Sequence, residues 1–347
     1  MSRAEKRTVL VTGAGGYIGA TLVDQLLAAG HRVIGLDRYF FGESLLGDTL
    51  LNPNFELRRK DVREVEASDF DGVDAVCDLA ALSNDPAGAL DQDLTYSINH
   101  QARVRSAEMA KGAGVKRYVL ASSCSVYGAG DGRPLTEESA TQPISTYAMA
   151  NLKAEADLLP MNDSKFAVTA FRQATVFGLS KRMRFDLVVN LMTINAVQKG
   201  KIFVMGGGKQ WRPIVHVADT ASAFVSVLER APSEVGGRVF NIGSSEHNYQ
   251  VLSLAYIVRE NIPFPIELDV VPDDSDARNY NVSFTRAEKE LGLKPLRSPA
   301  DGAREIYEAL KLGRTDTGIK TVTVKWYQHI IDAKRLVDEL SIGGRLL

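Results

Sequence analysis

The segment Val11–Gly19, "VTGAGGYIG", spaces three glycines, Gly13, Gly16 and Gly19, at intervals of three residues. That spacing suits an anion cradle. The first glycine permits a tight turn, the second lets backbone approach a pyrophosphate, and the third lets a helix pack closely on a strand. The helix that follows offers free N–H groups and the favourable end of its dipole to the anion. Asp37 comes eighteen residues after Gly19, where a carboxylate accepts hydrogen bonds from ribose hydroxyls and repels a 2′-phosphate. These residues predict a dinucleotide site and favour NAD. The neighbouring Arg38 can sit against the 2′-phosphate of NADP, or be a solvated surface side chain.

Such a cradle needs a strand before it and a helix after it, and the pattern supplies both. "TVLVTG" predicts a buried strand and "IGATLVDQLLAAG" a helix stopped at Gly30; "HRVIGLD", "FELRRKDV", "DAVCDLAA", "KRYVLASS" and "FAVTAFRQ" predict further strands. Between them, "LTYSINHQARVRSAEMAKGAG" predicts a long amphipathic helix and "TYAMANLKAEADLL" another. Alternation of helices with near-continuous apolar strands predicts an α/β fold, a Rossmann-type doubly wound parallel sheet. Beyond about Arg182 the rhythm shortens. The expected division is a dinucleotide-binding domain over residues 1–181 and a smaller, less regular substrate lobe over residues 182–347, with the chain crossing between them. In this second part "RVFNIG" predicts a strand, and "TVTVKWYQHIIDAKRLVDEL" predicts a final helix. Ligands of such sheets lie beyond the strand C-terminal ends.

With the T-G-x-x-G-x-x-G spacing, the chain resembles the extended short-chain dehydrogenase/reductase family, the nucleotide-sugar epimerases and dehydratases. The resemblance runs through "KDV" (Asp61 and Val62), "DLAALS" (Asp78–Ser83), "SSCSVYG" (Ser122–Gly128), Tyr147, "FRQATVFG", "RPIVHVAD", "FNIGSS" and "DARNYNVSFTRAEKELG". It implies cofactor contacts at Tyr17, Ile18, Asp61, Val62, Leu79, Ala80, Ala81 and Tyr147, with Asn99 as the family's structural asparagine beside them. The histidine usual in the family's fourth-strand segment is replaced by Asp78. The resemblance further implies that Tyr147 is the base for a sugar hydroxyl and that Ser123 hydrogen-bonds the same oxygen. A hydride leaves a carbinol only as its hydroxyl proton is removed, so such a base is needed near neutral pH.

Four residues after the tyrosine the family carries a lysine, on the same helix face. Here the residue is Asn151. An asparagine can bond a ribose hydroxyl but brings no charge to lower a phenol that starts near 10. Lys153, two residues on, points to another side and reads as a solvated lysine. Three explanations stand at this level: an engineered variant, a natural enzyme with another means of activating Tyr147, or a cofactor-binding protein that kept the fold and lost the reaction.

The dehydratases of the family carry an Asp-Glu pair just after the serine; here those places are Cys124 and Ser125. That argues for a 4-epimerase, passing through a transient 4-keto sugar, or a 4-ketoreductase. Cys124 reads as a buried small residue, with acid–base work the alternative. For the sugar nucleotide, Thr175 and Asn190 match family positions, and Arg212 and Arg278 offer guanidinium forks to phosphate. Ser83 lies beside the expected sugar. Asn84 and Asp85 either face it too or serve the turn before Pro86. His216 reads as a structural histidine.

The chain's 347 residues are 45% hydrophobic and 24% charged, with a formal net charge of −2. That balance suits a protein with a sizeable core and argues against a nucleic-acid partner. Two cysteines, Cys77 and Cys124, give neither a disulfide framework nor zinc spacing, so no metal is expected. No signal-peptide pattern and no apolar run of membrane-spanning length are present, and the expectation is a soluble cytoplasmic protein. The resemblance also implies a homodimer, packing the helix about Leu94–Gly112 and the tyrosine helix as a four-helix bundle.

Overall fold

The structure, a computed structural model, describes residues 6–130, 132–272 and 279–346. Among these described residues twelve strands follow in chain order: β1 (Thr8–Thr12), β2 (Arg32–Asp37), β3 (Phe55–Arg59), β4 (Ala75–Asp78), β5 (Arg117–Ser123), β6 (Ala167–Gln173), β7 (Thr175–Phe177), β8 (Lys201–Val204), β9 (Trp211–His216), β10 (Arg238–Ile242), β11 (Asn248–Gln250) and β12 (Glu267–Val270). Seven form one sheet in the order β10-β6-β5-β4-β1-β2-β3, every pair parallel. β1 alternates faces as a strand must. Val9 and Val11 join a core with Leu22, Leu26 and Phe224; Leu10 joins another with Val76, Tyr118 and Phe166. Burial on both faces explains the unbroken apolar runs.

The strand order reverses between β1 and β4, the switch point where ligands of open sheets bind. The last strand of the sheet, β10, comes from the second half of the chain. A three-stranded sheet, β11-β9-β7, and a parallel pair, β12-β8, form the rest of that half around Phe177, Met192, Ile202, Leu254 and Val258.

Three details differ from the sequence reading. "FELRRKDV" stops being a strand at Arg59, because Asp61 turns to cap a 3₁₀ turn, accepting from the Arg63 N–H. The long helix is continuous in direction but not in pitch: Gln92–Tyr96 and Ala102–Gly112 are α-helical, and a π turn, Ser97–Gln101, joins them. Strands β7, β11 and β12, of three or four residues, are too short to show a period. The final helix, Thr323–Leu340, lies where no pattern could place it, with Tyr327, Ile330 and Ile331 against the cavity at the sheet's C-terminal edge. Among the described residues no helix is long and apolar enough to cross a membrane, and no cluster of three metal-ligating side chains occurs.

Candidate active site

Five parallel strands deliver their C-terminal ends to one cavity of about 360 Å³. Gly13 follows β1, Asp37 ends β2, Leu79 follows β4, Ser123 ends β5 and Gln173 ends β6, and all five line it. The glycine cradle sits at one end. Gly13 has φ +72°, and a Cβ there would lie 2.9 Å from the Ala80 amide nitrogen. A Cβ at Gly19 would come within 2.0 Å of the Gly13 carbonyl oxygen, which is why only glycine lets this helix approach the strand. The helix Tyr17–Ala28 has neither a side-chain cap nor an acidic residue in its first turn. Its free N–H groups are left for an anion.

Asp37 is fixed by two backbone donors, Gly15 N–H at 2.9 Å and Tyr39 N–H at 2.7 Å. Burial pushes its carboxyl pKa up while these bonds pull it down. Arg38 is committed elsewhere: its Nη1 reaches Asp61 at 2.9 Å and its guanidinium covers the Phe40 ring at 4.5 Å. Arg63 bonds Asp61 as well, at 2.6 Å, holding that carboxyl down to about 2. Lys60 is spent on Asp69 at 2.7 Å. Arg38, Arg63 and Lys60 each have a carboxylate partner, so the corner beside Asp37 fits a ribose diol better than a 2′-phosphate. The residues present therefore fit NAD.

The other cofactor residues expected from sequence divide into two groups. Tyr17, Ile18, Asp61, Val62, Leu79, Ala80 and Ala81 line the cavity. Asn99 does not. It lies within the π turn, accepts from the Leu82 N–H at 2.8 Å and donates to the Leu82 carbonyl at 3.1 Å. Its work is to clamp the loop that carries Leu79–Ser83.

At the far end stand Ser123 and Tyr147. Ser145 caps the tyrosine helix, Thr146–Leu158, by accepting from Ala148 N–H, and its hydroxyl donates to Asp85. Two turns after Tyr147, Glu155 takes Arg172 at 2.6 Å and the Ser122 hydroxyl. The helix is thus pinned before and after its tyrosine. Burial pushes the Tyr147 phenol up; Arg103, a hydrogen bond with Ser123, and Arg184 pull it down, against Asp85. Lys153 lies with its Nζ over the Tyr96 ring at 4.9 Å and does not line the cavity.

The expected substrate residues are only partly brought together. Ser83, Asn84, Ser125 and Thr175 line the cavity. Asn84 lines the cavity and also caps a short helix, accepting from Ala87 N–H at 2.9 Å, which is the turn role read from the sequence. Asn190 is off the wall: fully buried, it bonds Gly178 N–H, the Arg184 carbonyl and the Tyr17 hydroxyl. Arg212 is buried in β9, donates to the Trp211 carbonyl at 2.9 Å and lies off the wall as well. Cys124 faces away, its Sγ on the Arg172 carbonyl at 3.2 Å, and burial pushes its thiol up, which leaves no acid–base role there. His216 holds Glu305 at 2.6 Å and caps the next helix, a structural role. Arg278 lies outside the described residues.

Several cavity residues escaped the sequence reading. Arg182 stacks on Phe41 at 3.7 Å and donates to Thr323 Oγ1 at 2.9 Å. Burial lowers its pKa to about 10, and its Nε has no hydrogen-bond partner. Arg184 pairs with Asp186 through two bonds of 3.0 Å. Tyr327 packs on Phe40 and Phe41, and Trp326 Nε1 donates to the Phe40 carbonyl at 2.9 Å. Arg103, from the helix Ala102–Gly112, lines the wall as well. Only "KRMRFD" carried a signal, two arginines before an acid; the rest depend on tertiary placement.

Comparisons with known proteins agree with this geometry. The chain is 31% identical over 310 residues to a UDP-glucose 4-epimerase of Mycolicibacterium smegmatis, covering 86% of this chain and 97% of that one. It is 30% identical over 296 residues to UDP-glucuronic acid decarboxylase 4 of Arabidopsis thaliana, covering 83% of this chain and 65% of that longer one. In fold it matches a UDP-glucuronic acid 4-epimerase from Bacillus cereus, solved with UDP-glucuronic acid and NAD. The TM-score is 0.77 at 23% identity, over 88% of this chain and 99% of that one. Residues 9–243, from β1 through the last strand of the main sheet, match the NAD dependent epimerase/dehydratase family, and the chain belongs to it.

Proposed function

We propose that this enzyme is an NAD-dependent epimerase that inverts C4 of a nucleotide-diphosphate sugar through a transient 4-keto sugar. The observation that carries the reading is the pairing of Ser123 with Tyr147 at the cavity, next to a Cys124–Ser125 segment that holds no carboxylic acid. Tyr147 takes the C4 hydroxyl proton and later returns it, while Ser123 donates to the same oxygen. The nicotinamide, when bound, supplies the redox step. Gly13, Gly16 and the following helix hold its pyrophosphate, and Asp37 its adenosine ribose. Arg182 faces the same end, close enough to pull the Asp37 pKa down, and is the cation for that pyrophosphate. Residues 1–181 carry mainly cofactor and catalysis, and residues 182–347 mainly the sugar nucleotide; a chain that returns to the main sheet through β10 supports a crossing between the two. The relatives' names favour uridine diphosphate. The reading extends to a cytoplasmic homodimer joined through the helix about Leu94–Gly112 and the tyrosine helix Thr146–Leu158, where Met149 is exposed.

The test is incubation of the purified protein with UDP-glucose, UDP-galactose and the corresponding uronic acids, followed by proton NMR. Interconversion of C4 epimers with no net NADH change supports the reading. Loss of water or carbon dioxide, or turnover only with added NADH, overturns it in favour of a dehydratase, a decarboxylase or a ketoreductase.

A further inference from the structure

The helix Ala102–Gly112 turns a guanidinium into the protein among its small buried side chains. Arg103 is 2% exposed. A buried cation is costly unless it is paired and bonded. Arg103 Nη1 donates to Asn151 Oδ1 at 2.7 Å, and its Nε lies 3.8 Å from Asp78 Oδ2 without making a hydrogen bond. The Asn151 amide has a definite sense. Its Nδ2 donates to the Tyr147 carbonyl at 2.9 Å, so its oxygen is the end turned to Arg103. Asp78 is held in turn by the Thr12 hydroxyl and the Tyr118 hydroxyl, each at 2.7 Å. A lysine at position 151 would have set two cations against each other; an asparagine accepts instead.

Resting on the reading of Tyr147 as the base, we propose that Arg103 supplies the positive charge that favours the Tyr147 phenolate, with Asn151 and Asp78 as positioning residues that hold the guanidinium in place. The charge has moved from the tyrosine's own helix to the neighbouring one, and Asn151 and Asp78 are the complementary changes that accommodate it. Other charged groups around Tyr147 do not replace it. Arg184 lowers the phenol too, but less, and is hydrogen-bonded twice to Asp186, whereas Asp78 stays 3.8 Å from Arg103 without a hydrogen bond. Asp85 acts in the opposite sense, Lys153 is outside over Tyr96, and Glu155 is bound to Arg172. After burial, Arg103 is the largest influence on the phenol, and it is a lowering one.

The experiment is a pH titration of tyrosinate absorbance in the whole protein, with the Tyr147→Phe variant subtracted, alongside the pH profile of kcat/KM and NAD affinity. A cation removed from beside a phenol raises its pKa, and a base works only above it. Arg103→Gln should move the Tyr147 titration and the rising, acidic-side limb of kcat/KM up by about 1–3 units, with activity recovering at high pH. Arg103→Lys should restore most of the shift. Asn151→Asp, which keeps a bonded partner for Arg103 and neutralises it, should also raise the titration and covers the case in which Arg103→Gln fails to fold. An unchanged Tyr147 titration in Arg103→Gln or in Asn151→Asp overturns the proposal. If the wild type inverts no sugar yet the titration shifts, the charge assignment stands and the epimerase reading falls.

Discussion

At the scale of single residues, the site turns on one amide. Asn151 is fully buried, with both ends of its side chain engaged. Restoring a lysine there should not rescue activity. Asn151→Lys would bury a second cation against Arg103 with its acceptor gone, and leaving a buried donor unsatisfied costs about 1–3 kcal/mol, more for a charged group. The expected outcome is a melting temperature lower by several degrees and kcat/KM no better than wild type at any pH, read by calorimetry and the epimerase assay. A gain in kcat/KM would mean that position 151 itself lacks a needed charge. The sequence showed that the lysine was missing. It could not show what compensates, because residues 78, 103 and 151 are far apart in the chain and meet only through the packing of β4 and two helices. Asp37 was legible for the opposite reason: its role follows from a fixed offset within one local βαβ unit.

At the scale of elements, the strands and helices around the cradle were readable because burial on both sheet faces writes long apolar runs. The π turn Ser97–Gln101 was not, since nothing in the periodicity of that segment marks it; it is seen in the Asn99 clamp on Leu82. Short strands such as β7 and β11 leave no pattern either. The helix Thr323–Leu340 was foreseen as a helix but not as a roof. Its first turns meet Phe40, Phe41 and Arg182 through Trp326, Tyr327 and Thr323, while most of its remaining length is exposed. Ending the chain at Thr321 should therefore leave the sheet folded and loosen the cofactor. The expected result is dissociation of NAD at least about tenfold faster, equivalent to about 1.4 kcal/mol, measured by stopped-flow. An unchanged rate would show that the roof does not retain it.

At the scale of the whole molecule, five strand ends, one edge loop and the C-terminal helix enclose a single cavity. Residues separated by some three hundred positions, such as Ile18 and Ile330, share its wall. This explains why composition and pattern reached the fold class and the cofactor end, whereas the substrate end was only half reached. Arg212 and Asn190 sit in recognisable motifs, but those motifs serve the interior: one arginine bonds a neighbouring carbonyl, and the asparagine ties Tyr17 to the loop before Asp186. Two of the arginines that do line the cavity, Arg182 and Arg184, lie in a stretch without regular structure.

The roof has an optical consequence. The chain has two tryptophans, and Trp326 is hydrogen-bonded to the loop that follows Asp37, above the adenosine end of the cavity. Its emission should respond when that end fills, so the protein carries its own gauge of occupancy. Titration should quench Trp326 fluorescence with NAD at a concentration at least about tenfold below that needed with NADP, because Asp37 disfavours the extra phosphate and Arg38 is already taken. Equal midpoints would remove the cofactor preference assigned to that corner, and a response that survives Trp326→Phe would place the reporter at Trp211 instead.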